Sequence, residues 1–373
     1  MKNKNIYIIS IAAIAIITIA VSVFATGYLS QPNQTPSPAI TINGAGATFP
    51  QPLINAMITQ YTSTVQKNVQ INYDGVGSGQ GISDLENKVM DFDASDAPLG
   101  ASDMAKAPNV LHIPETIGGV TVAYNLPGIP SDLHLTGKVV ADMFQGKVTM
   151  WNDPEIQSLN PNTLLPDKPI QIVHRADSSG TTFIFTGYLS ASSSAWNNSI
   201  GQGKTVAWPV GIGASGNPGV ASVVIGTPYM LGYVELSYVL QNSMTVAAIQ
   251  NPAGNWILPS LGSFQDAVQS AASEGLPAGD QSWAKINLLN APEAQAYPIV
   301  SFTYLLVYKE LDVIPGMTQA TAKAEVQFLW WVTHDGQQLA PTLDYVALPS
   351  NVVQIDEATI QSITFNGQQL ATS

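Results

Sequence analysis

Three times between Ala39 and Leu189 the chain runs from a short apolar stretch, through a loop of glycine and small hydroxyl residues, into an apolar pattern at helical spacing. The first unit is Ala39-Ile-Thr-Ile-Asn43, then Gly44-Ala-Gly-Ala-Thr-Phe-Pro50, then Leu53, Ala56, Met57 and Tyr61. The second is Val69-Gln-Ile-Asn-Tyr73, the loop Asp74-Gly-Val-Gly-Ser-Gly-Gln-Gly81, and a helix face of Ile82, Leu85 and Val89. The third is Ile170 to Val173, the turn Ser178-Ser-Gly180, and a helix carrying Phe183, Phe185, Tyr188 and Leu189. Repeated strand, loop and helix predict an α/β fold. A helix start leaves backbone N–H groups unpaired and carries partial positive charge, so small residues there let an anion come close.

Arg175 is the only arginine among thirteen basic residues and stands just before the third turn. Its planar fork matches two oxyanion oxygens in a way lysine cannot imitate. The competing reading is a surface pair between Arg175 and Asp177, with Ser178-Ser179 merely capping the helix. Likewise the first loop reads either as an anion contact or as a glycine turn with a threonine cap at Thr48.

The remaining composition removes whole classes of function. Thirteen basic and 26 acidic residues give a net charge of −13, and no cluster of Lys and Arg is present, which excludes a nucleic-acid partner. Cysteine is absent, so disulfides, cysteine-based metal sites and a lipidated cysteine are excluded. The four histidines are scattered, with no H-x-x-x-H pair, and no metal or cofactor is expected. Neither Ser78 nor Ser179 sits in G-x-S-x-G, so no hydrolase elbow is present. Gly203-Lys204-Thr205 ends like a Walker A loop but has Asn198 where the motif needs its first glycine, and Gly211-Ile-Gly-Ala-Ser-Gly216 follows a poor strand and reads as structural.

His174-Arg-Ala-Asp-Ser-Ser-Gly-Thr-Thr-Phe183 resembles the phosphate-clamping loop of the periplasmic phosphate-binding proteins that serve the high-affinity phosphate ABC transporter. Three more stretches match in the family's order: the Gly-Ala-Gly-Ala-Thr-Phe loop, the glycine loop around Ser78, and Phe92-Asp-Ala-Ser-Asp-Ala-Pro98. Asp93 departs from the family's usual glycine there and adds a carboxylate near the site. The resemblance spans about residues 41 to 350. It implies a two-lobe, type II periplasmic-binding-protein-like α/β fold, each lobe a mostly parallel sheet flanked by helices, with the ligand in the cleft. Lobe one is expected from residues 39–116 and 297–373, and lobe two from 117–296. The implied phosphate contacts are Thr48, Phe49 (through its backbone N–H), Ser78, Asp96, Arg175, Ser179, Gly180 and Thr181, with Asp177 supporting Arg175. The implied activity is non-enzymatic: inorganic phosphate is bound outside the cell membrane and delivered to the permease subunits of an ABC importer. A receptor for sulfate or molybdate and a secreted phosphoester hydrolase remain as alternatives. Asp96 separates the anions, because a carboxylate facing the ligand wants a proton that phosphate carries and sulfate does not.

Residues 1–38 read as a membrane-targeting segment and linker. Lys2 and Lys4 precede Ile6 to Ala25, a charge-free apolar run that fits an uncleaved anchor or a signal peptide cut near Ala25, and the proline-bearing stretch from Gly27 to Pro38 reads as a spacer. The extended segment Ile113 to Tyr124, broken at Gly118-Gly119, is expected to cross between lobes, and Tyr297 to Tyr304 to return. Tyr229 to Glu235 reads as a buried strand. Ala320 to Thr333 reads as an amphipathic helix whose Phe328, Leu329, Trp330 and Trp331 belong to the core.

Overall fold

The structure, a computed structural model, describes residues 40–271 and 275–372; the targeting segment and spacer expected in residues 1–38 lie outside them. Strands β1 (Ile40–Gly46), β2 (Val69–Gly75) and β3 (Phe92–Ser95) pair in parallel with β1 in the middle. In β2 the alternation is complete: Val69, Ile71 and Tyr73 are buried and Gln70, Asn72 and Asp74 exposed, as a strand with one covered face requires. The sheet continues through β4 (Val110–Tyr124), β5 (Leu133–Leu135), β6 (Gln171–Arg175), β7 (Ile212–Ala214), β8 (Met230–Glu235), β9 (Thr245–Gln250), β10 (Trp256–Ile257) and β11 (Val300–Tyr308). Its order is β2-β1-β3-β11-β4-β8-β6-β7, and β9 pairs with β4 while carrying β5 and β10.

Every residue of β4 is buried, and the strand serves both halves of the molecule. Val110 to Gly119 pair with β11, whereas Val120 to Tyr124 pair with β8. The chain leaves one half along β4 and returns along β11, so these two strands must run in opposite directions. Parallel pairing is accordingly kept to the strand–helix units (β1 with β2 and β3, β6 with β7 and β8, β5 with β9), and the pairs flanking β4 are antiparallel.

Gly118-Gly119 does not break this strand. A Cβ at Gly118 would stand 2.8 Å from the Phe49 ring, and one at Gly119 would stand 2.2 Å from the Phe264 ring. Both glycines make room for aromatic rings packed on the sheet. The irregularity falls earlier, where Thr303 pairs with Thr116 and Tyr304 with Pro114, leaving Glu115 as the extra residue of a bulge.

Two further expectations shift. The Ser78–Asn87 helix ends at Lys88, whose φ of 56° is left-handed, so Val89 falls outside the helix and is exposed while Ile82 and Leu85 are buried. In the Gln319–Thr333 helix Phe328, Leu329 and Trp331 are core residues, and Tyr61 meets the Phe328 ring at 5.2 Å. Trp330 is only half-buried and stacks on His334 at 4.2 Å.

Candidate anion site

The ends of β1, β2 and β6 point their loops at one place. Gly46, with φ of 132°, lies so close to β3 that a Cβ would come within 2.2 Å of the Ala94 carbonyl oxygen, and Ala47 N donates to that same oxygen at 2.9 Å. This close approach turns the chain so that Thr48 leaves the sheet edge. The Gln51–Gln60 helix that follows has Pro50 at its N-cap and no side-chain cap, so Thr48 is not the threonine cap that one reading allowed. Its Oγ1 instead accepts from Asn217 N at 3.0 Å and from Asn217 Nδ2 at 3.1 Å. Phe49 puts its ring in the core beside Gly118, and its carbonyl accepts from Tyr345 Oη at 2.7 Å.

Gly77, with φ of 92°, precedes the Ser78–Asn87 helix and brings Ser78 inward. Ser78 Oγ accepts from Asp96 N at 3.2 Å. Asp96 follows β3 and is 1% exposed. Thr303 Oγ1 donates to its Oδ1 at 3.0 Å and Thr181 Oγ1 to its Oδ2 at 3.5 Å. Burial raises its carboxyl to about 7, against the lowering effects of the Thr303 bond and the Arg175 charge. Asp93, the departure from the family pattern, feels the charges of Asp84 and Asp91 and makes no hydrogen bond, so it stands apart from this cluster.

Arg175 ends β6 and is 3% exposed, which removes the surface-pair reading while keeping the pair itself. Its Nε donates to Asp177 Oδ1 at 2.8 Å and its Nη2 to Asp177 Oδ2, a two-pronged bond that fixes the guanidinium plane. Nη1 is thereby aimed at Thr181 Oγ1, 3.3 Å away. Burial works to raise the Asp177 carboxyl, but the Arg175 bonds and charge outweigh it and hold the group below the usual carboxylate range. Ser179 caps the Gly180–Ser192 helix, its Oγ accepting from Thr182 N at 3.1 Å, so the capping reading holds for Ser179.

Gly180 is the point where the two halves meet. A Cβ there would lie 2.4 Å from Ser78 Oγ and 2.6 Å from Asp96 Cβ. Beside it, Gly79 N donates to the Ser178 carbonyl at 2.8 Å. The structure thus brings Thr48, Ser78, Asp96, Arg175, Gly180 and Thr181 together, with Asp177 behind the arginine, while the Ser179 hydroxyl and the Phe49 ring are committed to the helix cap and the core.

Asn217 completes the cluster and is absent from the sequence reading. It is fully buried, donates through Nδ2 to both Thr48 Oγ1 and Thr181 Oγ1 at 3.1 Å, and accepts from Glu235 N at 3.1 Å. Gly216 N donates to Asp177 Oδ1 at 3.0 Å. The Gly211–Gly216 loop, read as structural, therefore delivers Gly216 to the cluster and leads directly into Asn217. Its signal was the same as in the other loops, a small-residue turn opening a helix, here Gly216–Gly226.

One guanidinium, several hydroxyls, helix-start N–H groups and the buried Asp96 carboxyl between two halves of an α/β sheet define a two-lobe binding protein for an oxyanion. A family model described as "PBP superfamily domain" matches residues 32–335. The phosphate-binding protein PstS of Xylella fastidiosa (strain Temecula1) is 42% identical over 343 residues, covering 89% of this chain and 90% of its own length. The phosphate-binding protein PstS of Methanocaldococcus jannaschii is 39% identical over 344 residues, covering 87% of each. Among solved structures, the periplasmic phosphate-binding protein PfluDING, bound with phosphate, superposes with a TM-score of 0.67 over 85% of this chain and 93% of its own at 19% identity. A phosphate-binding protein from Stenotrophomonas maltophilia gives 0.62 over the same shares at 18% identity. These two likenesses concern the fold. The chain belongs to the PBP superfamily and, within it, to the PstS family of phosphate-binding proteins.

Proposed function

We infer that this chain binds inorganic phosphate between its two halves, outside the cell membrane, and hands it to the permease subunits of an ABC importer. The observation that carries the reading is Asp96: a buried carboxylate amid hydroxyl and guanidinium donors supplies the one acceptor that a protonated oxyanion needs. Thr48, the Phe49 backbone and Ser78 would hold the anion from one side, and Arg175, Gly180, Thr181 and Ser179, whose cap bond uses only a lone pair and leaves the hydroxyl hydrogen to donate, from the other, with Asn217 joining them. The lobes would comprise residues 39–116 with 297–373, and residues 117–296, which the exchange of β4's partners between Gly119 and Val120 supports. Binding without bond cleavage is favoured because the two serine hydroxyls of the cluster face backbone N–H groups and not a base: Ser78 Oγ accepts from Asp96 N, and Ser179 Oγ from Thr182 N. The apolar run Ile6 to Ala25 would carry the chain to the outer face of the membrane.

Calorimetric titration with phosphate and sulfate at one pH and ionic strength tests this reading, on the native chain and on Asp96→Asn. Native protein should prefer phosphate, since sulfate has no proton for Asp96, and the amide should move the ratio towards sulfate. A native preference for sulfate would contradict the ligand assignment. An unchanged ratio in the variant would remove Asp96 from selectivity.

A further inference from the structure

Glu235 ends β8, is fully buried, and forms no ion pair among the described residues. Its Oε2 accepts from Ser237 N at 2.9 Å, touches Ser237 Oγ, and lies 2.9 Å from Tyr345 Oη. Tyr345 Oη also lies 2.7 Å from the Phe49 carbonyl oxygen and 2.9 Å from Ser237 Oγ. These three side-chain oxygens and the Phe49 carbonyl make four contacts of 2.9 Å or less, and the two hydroxyls bring only two hydrogens to them. With the tyrosine hydrogen on Phe49 and the serine hydrogen on Glu235, the contact between Tyr345 Oη and Glu235 Oε2 has a hydrogen only if Glu235 brings one.

We propose that Glu235 works as a neutral carboxylic acid, a positioning residue that donates to Tyr345 and through it holds the Thr48–Phe49 turn in register with the second half. Its backbone acts on the same turn, since Glu235 N donates to Asn217 Oδ1 and Asn217 bonds Thr48 Oγ1 and Thr181 Oγ1. The proposal rests on the reading that this turn contacts phosphate. The titratable groups that act on Glu235 are Asp96, across the site, and Tyr345 and Tyr238, all of which disfavour or cannot neutralise a negative charge there. Burial raises the carboxyl to about 8, with the Ser237 and Tyr345 bonds opposing and Asp96 adding to the rise. Ionisation therefore leaves a charge with no cation beside Tyr345 and draws the tyrosine hydrogen from the Phe49 carbonyl to Glu235, so the turn loses its tether as pH climbs through that value.

The test compares phosphate Kd about one unit below and about two units above that midpoint, for the full chain and for Glu235→Gln. Glutamine cannot ionise, and it leaves Asp96 and the ligand to titrate as before. The alkaline loss of affinity should be at least about tenfold larger in the native chain than in Glu235→Gln. Tyr345→Phe, which cuts the tether, should flatten the profile in the same way. Equal pH dependence in all three forms overturns the positioning role. An infrared titration without ligand, native minus Glu235→Gln, should show a protonated-carboxyl band fading near pH 8. Absence of that band at neutral pH overturns the proposal whether or not phosphate binds, whereas failure of phosphate binding with the band present would defeat only the functional reading.

Discussion

Arg175 spends two of its donors on Asp177 and turns the third nitrogen to Thr181, so its task is geometric as much as electrostatic. Lysine keeps the charge but can neither make the paired bond to Asp177 nor hold a plane. Arg175→Lys should therefore weaken phosphate binding by about 1.5 to 3 kcal/mol, one to two decades, with the fold retained. Titration calorimetry reads the loss and a thermal melt checks the fold; native affinity in the variant would place the guanidinium outside the site. The residues of the three strand–loop–helix units were legible because their signals are local: glycine where the backbone turns, a hydroxyl where a helix begins. Asn217 was not. Its meaning lies in Thr48, far away in sequence, and a lone glycine pattern after a poor strand offers no hint of that partner.

At the scale of elements, the start of the Gly180–Ser192 helix meets the Ser78 loop and Asp96 with no space for a side chain. Gly180→Ala should leave each half folded, since Gly180 has no positive φ and alanine favours the helix. It should nonetheless hold the halves apart and lower phosphate affinity by about tenfold or more, because a Cβ at those distances forces backbone to move. Unchanged affinity with an unchanged melt would show that the two loops do not close on each other. The same steric logic explains what sequence reading missed in β4. Gly-Gly within an extended run reads as a break when only neighbours are considered, but the Phe49 and Phe264 rings that occupy the space arrive from distant segments. The crossing itself was visible as a long apolar stretch, whereas its antiparallel return follows from topology that no local pattern encodes.

Taken as a whole, the molecule buries six carboxyls that form no ion pair among the described residues. Burial pushes Asp93, Glu115, Glu325 and Asp356 well above their ordinary values, and raises Asp96 to about 7 and Glu235 to about 8. The folded chain therefore keeps protons that the unfolded chain releases near 3.8 to 4.5, and its stability must fall as pH rises through the folded values. The net charge of −13 acts in the same direction. Melting temperature should decline between about pH 5 and about pH 9, and a flat or rising trend would mean that these carboxyls find partners in the folded state. Hydrogen bonds that join the halves, Gly79 N to the Ser178 carbonyl and Asn217 to Thr48, are of the kind that form when a two-lobe receptor shuts. The most direct measurement is small-angle scattering of the ligand-stripped protein, alone, with saturating phosphate, and with sulfate at the same concentration. Phosphate should reduce the radius of gyration and sulfate should not; scattering that phosphate leaves unchanged, or that sulfate changes equally, would contradict a cleft that closes on phosphate.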